Sequence, residues 1–405
     1  MENKQVPEIR FAGYSGEWEK RKLSELMDFS NGINAPKESY GKGRKMISVM
    51  DILDQNPMTY ENVRNSVEVK KEIEDKNRVE KGDLVFVRSS EVVEEVGWTK
   101  AYLEDEYALY SGFTIRGKKK NEYDDRFIEL NLNSSSRKQI QRKAGGSTRF
   151  NVSQSILKSI VIREASIEEQ TKIGDFFKKL DETIVIQEQE LTTLKQTKQG
   201  FLQKVFSREI RFKDEGGNDF PDWKGSILSK VLKERKLYAQ KGEEYLHASL
   251  SKEGVTLKTD RYDRDFLVRT VDKKYKVTKE DDICYNPANL KFGVISRNKM
   301  GSAIFSPIYI TFEIQSGFDS TFMEYYLCRN EFIQKVRKYE EGTVYERMAV
   351  KPSDFLKYKG DFPSIEEQKK IGAFFKKIDE TIALHQRELD ILKQTKKAFL
   401  QKMFV

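Results

Sequence analysis

SIEEQTKIGDFFKKLDETI at residues 166–184 returns as SIEEQKKIGAFFKKIDETI at 364–382, and LKQTKQGFLQKVF at 194–206 returns as LKQTKKAFLQKMF at 392–404. The offset is 198 throughout and 28 of the 41 aligned positions are identical, so the chain carries one element twice. A fainter echo starts each half: Ile9, Arg10, Phe11 and Trp18 correspond to Ile210, Arg211, Phe212 and Trp223. The chain is two tandem modules.

Each strong repeat opens as a capping box, Ser166 with Glu169 and Ser364 with Glu367, which marks a helix start. Apolar residues then follow a heptad. Ile173, Leu180, Leu194 and Phe201 hold one seam position, and Phe177, Ile184, Leu191 and Val205 the other. The second copy keeps the pattern with Ile371, Ile378, Leu392 and Phe399, and with Phe375, Ile382, Leu389 and Met403. A helix of about 40 residues is roughly 60 Å long at 1.5 Å per residue, more than one globular domain needs. Such helices pair.

Lys198 and Lys396 interrupt the seam at matching places, as do Gln187 and His385. A parallel pair would press the two lysines together, so the helices are expected to run antiparallel, with His385 as a register-setting residue rather than a base. That geometry returns the last residue, Val405, to the start of the first module. Gly174 and Gly372 break good helix sequence, either for a close approach of another chain or as tolerated helix glycines. Phe176, Phe177, Phe374 and Phe375 widen the apolar face beyond a two-helix contact and are expected to dock partner subunits.

The expected fold class is α+β, with a pseudo-twofold internal repeat: an α/β domain over 1–165, a spacer helix over 166–206, a second α/β domain over 207–363 and a closing helix over 364–405. The 405 residues exceed one ordinary core. With 34% charged against 38% hydrophobic residues, a single large globule is disfavoured. The net charge of +8 suits a polyanionic partner. MENKQVPEIR lacks an apolar signal core and no stretch is long enough to span a bilayer, so a cytoplasmic location is expected. Cys284, Cys328, His247 and His385 form no metal or disulfide pattern, and both cysteines are expected to be buried and inert.

Between the helices the modules differ almost completely. VEKGDLVFVRSS at 79–90 and VTKEDDICYNPAN at 277–289 both read as a charged turn feeding an apolar strand that ends in small polar residues. GGSTRFNVSQSIL at 145–157 and EGTVYERMAVKPSDFL at 341–356 place a Gly and Ser/Thr loop before the next helix start. Basic and amide clusters fall in predicted loops: Lys37, Lys42, Arg44 and Lys45; Lys118 to Lys120; Arg142, Lys143 and Arg149; Lys291, Arg297, Asn298 and Lys299. Divergent inserts on duplicated helices imply one mechanical task and two recognition tasks.

Catalytic signatures are missing. FAGYSG at 11–16 follows no strand, NPAN at 286–289 lacks the second proline and aromatic of a base-flipping motif, and no phosphate-cradling GxxxxGK[ST] occurs. Pro221 and Asp222 with Glu234, Arg235 and Lys236 imitate a metal-dependent nuclease, but SKVLKERKLY at 229–238 reads as a charged helix face.

The SIEEQ–KIG–FF–LDETI–LKQTK–FLQK pattern of both helices, the two module starts and the two variable inserts resemble the specificity subunits of Type I restriction-modification systems, which defend cells against foreign DNA. The resemblance spans nearly the whole chain. It implies two target-recognition domains, each reading one half of a split, asymmetric double-stranded DNA site, with the helices setting the gap. It implies two modification subunits that use S-adenosylmethionine, and restriction subunits that use ATP and Mg. No catalytic residue, cofactor or metal is then expected in this chain. By position, the DNA-facing residues it implies are Arg88, Ser89, Ser90, Ser147, Thr148 and Arg149 in the first domain. In the second they are Asn286, Asn289, Lys291, Thr343, Tyr345 and Arg347. A stand-alone two-domain DNA-binding regulator held by an intramolecular coiled coil is the alternative.

Overall fold

The computed structural model describes residues 6–54, 56–240, 245–258, 274–339 and 349–405. It divides into two compact units, Met1–Glu188 with Arg387–Val405, and Gln189–Gln386. Each unit is thus one insert together with half of each long helix.

The long helices are Ile167–Phe206 and Ile365–Lys402. Inside each unit the halves run antiparallel. In the first, Phe176 meets Phe399 at 5.2 Å between ring centroids while Glu188, further along, meets Lys393 at 2.6 Å. In the second, Phe201 meets Phe374 at 5.3 Å and His385 lies 4.0 Å from Glu190. The lysines that interrupt the seam avoid each other: Lys396 pairs with Asp181 and Lys198 with Asp379. Every predicted seam residue is buried or half-buried.

The capping boxes form by half. Ser166 Oγ accepts from the Glu169 backbone N–H at 3.4 Å, and Ser364 Oγ from that of Glu367 at 3.3 Å. The glutamates do not reach back to the caps as predicted. Glu169 takes a bidentate bond from Arg10 at 2.6 and 2.7 Å, and Glu367 takes one from Arg211 at 3.3 and 2.8 Å. The buried Glu169 carboxylate holds the Arg10 guanidinium above its ordinary pKa. The next residue completes the lock: Gln170 Oε1 accepts from the Asp124 backbone N–H at 3.1 Å, and Gln368 Oε1 from that of Asp319 at 2.9 Å.

Those aspartates explain the paired glycines. Asp124 caps the helix Asp125–Asn133 and Asp319 caps Ser320–Leu327, each accepting a backbone N–H at 2.8 Å. A Cβ on Gly174 would collide with the Asp124 carboxylate, and one on Gly372 would stand 3.0 Å from that of Asp319. The close approach is therefore made by a helix cap of the same unit and not by another chain.

The phenylalanines expected to dock partners are spent on the chain's own core. Phe177 and Phe375 are fully buried, Phe176 packs against Phe11 at 5.7 Å, and Phe374 packs against Phe212 at 5.3 Å. The apolar face is wide because a whole α/β insert packs on it.

The unrelated inserts share a topology. In the first unit a four-stranded antiparallel sheet runs Met27–Asn31, Thr114–Lys119, Leu84–Val87, Thr99–Ala101. In the second the order is Leu232–Glu234, Ile310–Ile314, Ile283–Tyr285, Ile295–Arg297, again antiparallel. Each also has a two-stranded ribbon at its root, Glu19–Lys22 with Val161–Glu164 and Lys224–Ile227 with Lys359–Phe362. The modules part in a further sheet, which among the described residues has three strands in the first unit and five in the second. The predicted charged helix face in 229–238 is not formed: a single turn, Leu228–Val231, gives way to the strand Leu232–Glu234.

The chain closes on itself within the first unit. The Ile9 N–H donates to Lys402 O at 3.0 Å and Trp18 meets Phe404 at 6.1 Å. The end of the first helix repeats this in the second unit, with Ile210 N–H to Lys204 O at 3.1 Å and Trp223 against Phe206 at 6.2 Å.

Candidate nucleic-acid interface

In the first unit the two loops singled out from sequence meet. The strand Leu84–Val87 is fully buried and delivers Arg88 to the sheet end. There the Arg88 N–H donates to Phe113 O at 2.9 Å, its Nη1 donates to Gly112 O at 3.1 Å, and its own carbonyl accepts from Val152 N–H at 3.0 Å. Ser89 and Ser90 pair antiparallel with Asn151 and Phe150. Reciprocal backbone bonds between Gly145 and Asn151 pinch off a tip that carries Ser147, Thr148 and Arg149, all exposed. Gly146 turns that tip at φ +117°, a conformation open to glycine and strained for other residues. Ser90 is partly committed, its hydroxyl donating to Glu95 at 2.5 Å.

Sequence reasoning passed over Phe113. It stands at the tip of the turn before Thr114–Lys119, 54% exposed, with the Arg149 guanidinium 5.8 Å from its ring centre. Ile308, just ahead of the matching strand Ile310–Ile314, is 60% exposed. The signal was present in YSGFT and SPIYI, where an apolar residue follows turn chemistry but precedes the alternating strand.

In the second unit Ile283–Tyr285 ends at Asn286, which is buried. Its Oδ1 accepts from the Ala288 and Asn289 N–H groups at 3.1 and 3.3 Å, so the side-chain oxygen organises the turn. Asn289 and Lys291 are exposed, and Lys291 Nζ lies 5.1 Å from the ring centre of the exposed Phe292. Val350 N–H donates to Pro287 O at 3.3 Å, the counterpart of Val152 to Arg88. Thr343, Tyr345 and Arg347 lie outside the described residues.

Several basic clusters are neutralised internally. Lys118, Lys119 and Lys120 pair with Glu80, Asp125 and Asp28. Arg297 and Lys299 both hold Glu324, and Asn298 is buried, bonding Lys279 O and Gly301 O. Arg44 pairs with Glu106 over the Tyr107 ring. Arg142, Arg149 and Lys291 stay exposed with no carboxylate partner among the described residues.

The nuclease-like residues do not converge. Asp222 lies 3.5 Å from Arg211, Glu234 takes Lys276 at 3.1 Å, and Arg235 holds Asp282 bidentately at 2.7 and 2.8 Å. Cys284 is buried and its thiol is pushed up to about 12 by burial. Cys328, expected to be buried, belongs to an exposed residue whose Sγ turns in toward Ile295 O at 3.3 Å. Among the described residues, no helix is long and apolar enough to cross a membrane and no group of three or more His, Cys, Asp or Glu side chains is placed to hold a metal.

The Type I restriction modification DNA specificity domain matches residues 15–196, the first insert and most of the first long helix. A Methanocaldococcus jannaschii protein named as a type I restriction enzyme MjaX specificity subunit is 22% identical over 410 residues, covering 95% of this chain and 92% of the relative. Over residues 15–196 the chain thus carries the Type I restriction modification DNA specificity domain. The chain shares its fold with the S subunit of a Type-I restriction-modification system from M. genitalium, with a TM-score of 0.58 at 16% identity over 99% of both chains. A chain from a structure of complex assembly and conformational transition in the type I R-M system gives 0.55 at 14% identity, over 96% of this chain and 97% of that one. The stand-alone regulator is not favoured.

Proposed function

We propose that this chain is a specificity subunit that reads a bipartite, asymmetric double-stranded DNA site, one half through each unit, and holds two methyltransferase subunits and the restriction subunits on the reading frame so formed. The carrying observation is that two inserts without sequence similarity keep the same strand order in their central sheets while presenting different loop chemistry. Arg88, Phe113 and Arg149 stand at one tip, and Asn289, Lys291, Phe292 and Ile308 lie in the matching loops. Arginine reads guanine bidentately, and exposed apolar groups contact thymine methyls.

Catalysis belongs to the partners in this reading: S-adenosylmethionine to the methyltransferases, ATP and Mg to the restriction subunits, and neither to this cytoplasmic chain. Because Phe176, Phe177, Phe374 and Phe375 are occupied, docking falls on exposed apolar positions of the helices. Ile186 and Leu384 are equivalent in the two copies and are 53% and 51% exposed.

Sequencing of methylated bases in cells with and without the gene tests the reading. A split motif that vanishes with the gene is expected, together with a methyltransferase that co-purifies with the tagged chain. A chain that purifies alone and leaves methylation unchanged contradicts it, as does methyl transfer or cleavage by the pure chain.

A further inference from the structure

The second unit contains a cavity of about 700 Å³ lined from the end of the first long helix and from the ribbon Lys224–Ile227 with Lys359–Phe362. Arg208, Lys230, Arg329, Lys335 and Lys359 line it, and Asp361, the one carboxylate among the described lining residues, lies 3.6 Å from Arg208. Lys230, Lys335 and Lys359 are exposed and take no ion pair among the described residues. The Arg329 guanidinium lies 4.0 Å from the ring centre of Phe206 and 4.4 Å from that of Tyr326, with its Nε donating to Tyr326 O at 3.0 Å. Trp223 and Tyr358 supply further aromatic wall. Cations gathered without counter-charge repel one another, and an anion removes that cost.

The first unit shows that the scaffold does not require this arrangement. In its one-turn helix Leu23–Leu26, Glu25 stands where Leu228–Val231 has Lys230, and it is held by Arg21 at 2.7 Å. In its ribbon, Val161 replaces Lys359 and the buried Ile162 replaces Gly360. A Cβ at Gly360 would run into the Tyr326 hydroxyl. Trp18 is buried where Trp223 is only half-buried. The same fold pairs its charge and buries its tryptophan in one copy, and in the other leaves the tryptophan half-buried beside lysines unpaired among the described residues.

We propose that this cavity binds a nucleoside phosphate, the cations taking the phosphate oxygens and the aromatic wall stacking the base. Its volume falls within the roughly 300–1,000 Å³ common for small-ligand sites, and cations beside ring faces suit a phosphate joined to a base. The site is independent of the DNA-reading loops.

The test is titration of the full chain with ADP, with pyrophosphate and with a short duplex, followed by calorimetry and tryptophan fluorescence, Trp223→Phe assigning the signal. ADP is expected to bind more tightly than pyrophosphate and to perturb Trp223. The Lys230→Glu and Lys359→Val pair, which installs the residues the first unit has at these positions, is expected to weaken ADP binding by about tenfold or more while circular dichroism and target-DNA affinity stay unchanged. Absence of ADP binding overturns the proposal, as does binding indifferent to the paired substitution. Loss of duplex binding in the pair without any ADP binding also overturns it, and assigns the cavity to the DNA backbone.

Discussion

At the scale of single residues, duplicated positions act as internal controls. Gly174 and Gly200 lie in the same helix, yet a Cβ on Gly174 meets the Asp124 carboxylate while nothing lies within 4 Å of one on Gly200. Gly200→Ala is therefore expected to stabilise the chain by roughly 0.5–1 kcal/mol, the ordinary helix gain. Gly174→Ala should destabilise it, because the cap of Asp125–Asn133 is displaced. Urea midpoints of the two variants decide this, and equal gains would remove the cap argument. Arg10→Ala leaves the Glu169 carboxylate buried without its cation, a change that costs about 3–5 kcal/mol. Arg10→Ala with Glu169→Gln should recover part of that loss in the same measurement. The residue types were legible in sequence, but their partners were not. Arg10 and Glu169 are 159 positions apart, and local spacing pointed Glu169 at its own cap.

At the scale of elements, heptad spacing, the lysines at seam positions and the repeat itself made the antiparallel helices readable, because each is a local or self-referential pattern. The apolar runs LVFV and ICY were readable as strands for the same reason. Sheet order was not, since Thr114–Lys119 pairs with both Met27–Asn31 and Leu84–Val87 across long stretches of chain. Nor was the fate of the basic clusters, because neutralisation of Lys119 by Asp125 or of Arg297 by Glu324 depends on packing. What survives is a short set of tips. Phe113→Ala is expected to weaken binding to the target sequence by roughly 1–3 kcal/mol if the ring meets base edges, with non-specific DNA affinity held. Parallel titrations on target and scrambled duplexes test this, and equal loss on both would make Phe113 a structural support. On the helices, Ile186→Lys with Leu384→Lys should abolish methyltransferase co-purification while helical circular dichroism is retained. Persistence of the complex would move the docking surface elsewhere.

At the scale of the whole molecule, one chassis is used twice and diverges where contact chemistry is set. Arg10, Glu169, Gln170 and Asp124 form the same lock as Arg211, Glu367, Gln368 and Asp319, so both inserts attach to the helices in the same way. The attachment tolerates change in the insert because the locked residues lie at its root, in the module start, the helix start and one helix cap. The loops proposed to read DNA, around Arg88–Ser90, Ser147–Arg149 and Asn286–Lys291, contain none of the locked residues, and no bond of the lock passes through them. Replacing residues 211–363 with the matching insert of a related subunit, while keeping Arg211 and Asp319, should therefore preserve folding and subunit assembly. It should change one half of the methylated motif and leave the other half and the spacer as they were. Sequencing of methylated bases in cells carrying the exchanged gene reads both halves at once. If both halves change together, the inserts form one composite reader and the modular account fails. If assembly is lost although the lock is intact, the inserts carry docking contacts that the helices alone do not supply.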